Sequence, residues 1–155
     1  LSTGNVTLSD IVCGGDVSIL LTTGDLNVKT LETSGDFTIN SSTGDQDLTG
    51  LSCNGNIGIT TSTGRIKIDG ADAVSIYVNG GTGDANIDGI SVTELVSITL
   101  TTGDVKGGVT DGIENYSIKS HTSTGSNNLP GQITYGSKKL EVYTSTGNIN
   151  FGFNR

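Results

Sequence analysis

Thr22-Thr23-Gly24-Asp25-Leu26-Asn27-Val28, followed by Phe37-Thr38-Ile39 and then by Ser42-Thr43-Gly44-Asp45, carries the pattern that decides the fold. A Thr-Gly turn is followed by apolar residues at every second position. A second alternating run comes next, and the turn then returns. Alternation with a period of two marks a strand with one buried face.

The unit recurs along the chain. Thr-Gly stands at Thr3-Gly4, Thr23-Gly24, Thr43-Gly44, Thr63-Gly64, Thr82-Gly83, Thr102-Gly103, Thr124-Gly125 and Thr146-Gly147. Successive glycines are 20, 20, 20, 19, 20, 22 and 22 residues apart. Apolar pairs follow two and four residues later (Val6/Leu8, Leu26/Val28, Ile66/Ile68, Ala85/Ile87). Others follow thirteen and fifteen residues later (Val17/Ile19, Phe37/Ile39, Ile57/Ile59, Val96/Ile98). A second glycine turn falls at Gly15, Gly35 and Gly55. Each repeat therefore reads turn, strand, turn, strand. One such coil cannot bury its apolar stripe alone, but stacked coils bury a continuous one. The predicted fold is all-β: a parallel β-solenoid, or single-stranded β-helix, with coils of about 20 residues. Stacking at about 4.8 Å per coil makes seven intervals a rod of roughly 34 Å.

Composition agrees with this reading. Hydrophobic residues make up 32% and aromatics 5%, with 24 glycines and one proline. That is lean for a central globular core, but a solenoid needs only a narrow stripe on each strand. The net charge of −8, with Lys138-Lys139 the only basic pair, disfavours nucleic acid and anionic membrane surfaces as partners. No apolar run has the length of a membrane-spanning helix, so no membrane insertion is expected.

The pattern loosens past Gly64. The apolar phase slips by one residue in Ala73-Val74-Ser75-Ile76-Tyr77-Val78. Ser126–Lys139 holds the only proline, Pro130, and reads as a surface excursion on the last coil. Phe151 and Phe153 are expected to plug that coil. Residues 1–155 read as one domain. Its N-terminal end is expected to be truncated or uncapped, because Leu1 falls inside a repeat-like motif.

Stacking aligns side chains in columns. The position after the Thr-Gly glycine holds Asn5, Asp25, Asp45, Arg65, Asp84, Asp104, Ser126 and Asn148; a second column holds Asp16, Asp36 and Asn56. Calcium ligation is one reading of these columns. The favoured reading is turn chemistry, in which Asp and Asn accept bonds from nearby backbone N–H groups. The threonine column suggests ice binding as a remote alternative, although the following glycine implies a bend where a flat face is needed. Cys13 and Cys53 share a column with Thr33 between them. Two coils of separation, about 9.5 Å, is too far for a disulfide, so two free and mostly buried thiols are expected. His121, the only histidine, reads as an exposed turn residue. No catalytic, cofactor-binding or metal-binding residues are expected, and no cofactor.

Ser2-Thr3-Gly4-Asn5-Val6, Thr22-Thr23-Gly24-Asp25-Leu26 and Ser145-Thr146-Gly147-Asn148-Ile149 give nearly the whole chain a resemblance to the bacterial putative-adhesin family of β-solenoid domains. The resemblance implies an extracellular or envelope-associated protein and no established catalytic residues. The expected function is a non-enzymatic, adhesin-like binding or structural module with a protein or glycan partner. Two alternatives are a polysaccharide-acting β-helix enzyme and a spacer that self-associates end to end.

Overall fold

A computed structural model describes residues 1–155. The chain is a β-solenoid of thirteen strands. They are β1 (Val6–Cys13), β2 (Val17–Thr23), β3 (Leu26–Thr33), β4 (Phe37–Thr43), β5 (Gln46–Cys53), β6 (Ile57–Thr63), β7 (Ile66–Thr82), β8 (Ala85–Thr102), β9 (Val105–Val109), β10 (Tyr116–Thr124), β11 (Gln132–Ile133), β12 (Lys138–Thr146) and β13 (Ile149–Gly152). No helix is long and apolar enough to cross a membrane.

The strands form two parallel stacks. β1, β3, β5, the first half of β7, the first half of β8, β9 and β13 make one. β2, β4, β6 and the second halves of β7 and β8 start the other, and β12 and β10 extend it. Equivalent residues pair rung by rung, as in Leu48 with Ile68 and Ile68 with Ile87. Ile39, Ile59, Val78 and Ile98 form one of the inward columns, each at most 1% exposed. The predicted stripe is therefore the core. Gln46 interrupts it between Leu26 and Ile66; its Nε2 donates to the Gly44 carbonyl at 2.6 Å, while its buried Oε1 has no partner.

The repeated glycine has a double cause. At Gly24, Gly44 and Gly64 φ lies between +133° and +142°, a region that favours glycine. A Cβ there would also overlap the carbonyl of the glycine one rung earlier.

The coil has a third bend that the sequence reading did not find. Asp10, Thr30, Gly50, Gly70 and Gly89 all have φ between +54° and +77°. The alternation of β3 breaks there: Lys29 and Thr30 are both exposed before Leu31 turns inward. Glycine holds this bend only from the third rung on, at Gly50, Gly70 and Gly89, and Asp10 and Thr30 stand there in the first two, so no single motif runs through it. The phase slip past Gly64 is a one-residue shortening of a corner. Three residues separate Cys53 from Ile57, but two separate Ala73 from Ile76, so β7 and β8 run through as single strands.

The last two rungs correct the expected order. β10 does not stack on β8. β12 lies between them, pairing with Val96 through Leu140 on one side and with Ile118 on the other. The chain skips a rung after β9, forms β10, then returns to fill the gap. Ser126–Lys139 is therefore a crossover rather than a simple surface excursion. β11 runs antiparallel along the outer edge of β10, and Gly136 passes so close to the Tyr116 backbone that a Cβ would overlap it. Leu129 is buried, and Asn128 bonds both ways with Phe151 (2.9 and 3.0 Å). Phe151 is buried on β13, paired with Gly107 of β9. Phe153 packs on Tyr116 at 6.0 Å between ring centroids. Both lie near this end, but the outermost rung of the second stack is β10.

At the other end, Val6, Leu8, Ile11, Val17 and Ile19 on β1 and β2 are only half-buried.

Candidate functional site

The Asp/Asn columns are hydrogen-bond ladders between rungs. Asn5 Oδ1 accepts the Asp25 N–H (2.9 Å), Asp25 Oδ1 that of Asp45 (2.9 Å), and Asp45 Oδ1 that of Arg65 (2.7 Å). The acceptor thus serves the next coil, not its own turn as expected. Arg65 offers no acceptor, so the ladder stops there; its guanidinium pairs with Asp45 at 3.2 Å. The ladder resumes from Asp84 to Asp104, Asn148 and Ser126. The second column works likewise, Asp16 to Asp36 to Asn56. The Asp104 carboxyl is held below the ordinary carboxylate value, chiefly by the Asn148 N–H and also by Lys106. One oxygen of each ladder carboxylate is committed to the backbone. No three His, Cys, Asp or Glu side chains converge, in the ladders or away from them.

Thr33 separates the two cysteines in the register, and both are free. Cys53 is buried, and its thiol is pushed up to about 11 by burial and then by the Asp36 carboxylate. Cys13, on the first rung, is only half-buried, contrary to expectation. His121 is not in a turn: it stands exposed within β10, opposite Tyr143. No hydrogen bond joins it to an acid or nucleophile. Asp111, Lys138 and Tyr116 form a contact cluster at the crossover, where burial and the Asp111 carboxylate raise the Tyr116 pKa. It ties Tyr116 and Lys138, paired across β10 and β12, to the segment after β9.

The feature that sequence reasoning missed is a distribution of charge. None of the 8 basic and 16 acidic residues lies in Val17–Thr23, Phe37–Thr43, Ile57–Thr63, or residues 75–82 and 95–102. These five segments are adjacent in the second stack. Their outward residues form columns of neutral groups. One reads Ser18, Thr38, Gly58, Tyr77, Ser97; the next reads Leu20, Asn40, Thr60, Asn79, Thr99. With about 4.8 Å per rung and roughly 6.6 Å between outward positions, the face measures about 19 by 13 Å. Charge returns with Glu141 and Lys119 on β12 and β10, and the opposite stack carries Asp47, Lys67 and Lys106. The Thr-Gly corner bounds this face and does not interrupt it. The signal was present in the sequence, but only the assignment of alternate strands to one stack brings it together.

A shallow depression crosses the face, lined by Thr60, Ser62, Asn79, Gly81, Thr99 and Thr101. Tyr77, 41% exposed, stands beside it on the same strand. Glu94 and Lys139 border the far side of Tyr77. No family model, curated protein or solved structure matches the chain.

Proposed function

We infer that the protein is a non-enzymatic binding module, a rigid rod that presents the charge-free face of β2, β4, β6 and the second halves of β7 and β8 to a partner. The observation that carries this reading is the partition of charge. A protein of net charge −8 keeps three whole strands, β2, β4 and β6, and the adjoining second halves of β7 and β8 free of any charged residue. Solubility alone gives no reason for that segregation, since charge spread over every face serves it better. A surface that must shed water to bind is different, because each unpaired charge buried at an interface is costly.

The Ser/Thr-Thr-Gly-Asp/Asn repeat supports an adhesin-like role at a bacterial surface or envelope, by its resemblance to the putative-adhesin family. The test is an array of glycans and extracellular-matrix proteins, run with and without calcium, probed with the native chain, Thr60→Glu and Asn27→Glu. Thr60 lies on the charge-free face and Asn27 on the opposite stack. Binding lost in Thr60→Glu and kept in Asn27→Glu is expected. Equal binding by both variants, or turnover of a glycan, overturns the reading.

A further inference from the structure

Gly58 and Tyr77 are neighbours across β6 and β7. Gly58 is a glycine that the fold does not require. Its φ lies outside the left-handed region, and a Cβ there would meet nothing within 4 Å. The corner glycines are the opposite case, excluded from change by φ and by contact. Glycine in mid-strand weakens pairing, and close approach of a ligand is, beside bulges and bends, one of the settings in which it recurs. Here it leaves the β6 flank of Tyr77 without a neighbouring side chain. Tyr77 is the one aromatic residue among the outward positions of the charge-free face, and it is exposed.

These features fit a particular chemistry. An exposed ring beside an empty position offers a platform for the apolar face of a sugar ring, much as aromatic faces take other flat partners. The Thr60 and Thr99 hydroxyls and the Asn79 amide each donate and accept, as sugar hydroxyls do. Phosphate, sulfate or uronate would call for Lys or Arg; the five segments hold none, and Lys139, on the far side of Tyr77, is accompanied there by Glu94. Nucleic acid is disfavoured on the same ground. A face about 19 Å long admits a chain of several sugars rather than a single one.

We propose that this face binds a neutral polysaccharide, with the Tyr77 ring stacked on one sugar over Gly58 and with Thr60, Asn79 and Thr99 bonding its hydroxyls. The proposal rests on the reading of the charge-free face as the binding surface.

The experiment is retention of the full chain on insoluble cellulose and chitin, with immobilised polygalacturonate as the charged comparator. Retention on at least one neutral polymer and none on polygalacturonate is expected. Tyr77→Ala should lower affinity at least tenfold. Gly58→Thr should do the same while melting at or above the native temperature, which separates binding from folding. If Gly58→Thr melts lower, Tyr77→Phe, which keeps the ring, should bind while Tyr77→Ala does not. No retention on either neutral polymer, or retention indifferent to Tyr77→Ala, overturns the proposal. If another ligand from the array is then lost in Thr60→Glu, the binding face stands and only its ligand class falls. If that ligand survives Thr60→Glu, the face itself is refuted.

Discussion

Asn148 donates its backbone N–H to Asp104 Oδ1 at 2.8 Å across 44 residues of sequence. The steps before it in the same ladder are 20 residues, and the one after it, from Asn148 back to Ser126, is 22. The bond is where the returning C-terminal segment locks onto the regular stack. It favours the charged form of Asp104, whose folded-state pKa therefore lies below its unfolded value of about 3.9. Its contribution to stability is complete above the unfolded pKa and disappears as pH falls through the folded one. Thermal melts from pH 5 to pH 2 should show native stability dropping at the acid end. Asp104→Asn keeps the acceptor and removes the titration, so its drop should be smaller. An identical pH profile for both proteins would contradict the assignment.

Inward and outward positions should differ sharply in cost. Ile68 is 1% exposed between Leu48 and Ile87. Ile68→Asp buries an unpaired charge and should cost roughly 3–5 kcal/mol. Asp25→Ala removes one ladder acceptor from an exposed N–H and should cost about 1 kcal/mol. Asp25→Asn should recover most of that loss. Urea denaturation of the three variants measures all of it; equal losses at both sites would refute the register.

Thr30 holds φ at +55°, where a β-branched residue is strained and where the later rungs place glycine. Thr30→Gly should stabilise the chain by about 0.5–1 kcal/mol, the relief of strain exceeding the added freedom of the unfolded chain. Gly50→Ala, the reverse change one rung on, should destabilise by about 1 kcal/mol. A loss of stability in Thr30→Gly would deny the third bend.

The thiols should react unequally. Cys53 is buried and its pKa is raised to about 11, so little thiolate forms at pH 8. Cys13 is half-buried on the first rung. Iodoacetamide at pH 8 should add one label quickly to the native chain and a second only after unfolding, as read by intact mass. Two labels at equal rates, or a disulfide, would count against the stacking of Thr33 between them.

Corner glycines should tolerate nothing larger. Gly44→Ala meets both a left-handed φ of +133° and the Gly24 carbonyl. It should cost at least about 2 kcal/mol. A native-like melting temperature for Gly44→Ala would show that adjacent corners are not in contact.

The recurrent Thr-Gly and the period-two residues around it determined the coil, its length, the parallel register and the buried stripe. They could do so because every rung of a parallel stack places the same demand on its sequence. The charge-free segments were legible too, residue by residue. Their union into one face with Gly58 beside Tyr77 was not, because neighbours in that stack are separated by a whole coil. The bend at Asp10, Thr30 and Gly50 escaped because a backbone angle, not a residue type, defines it. The order of the last two rungs was decided only in three dimensions. Ile118 and Leu140 stripes, each followed by Ser-Thr-Gly, are interchangeable partners for Val96. The observed order comes with long-range polar contacts that no local pattern encodes, Asn148 on Asp104, Asn128 on Phe151 and Lys138 on Asp111.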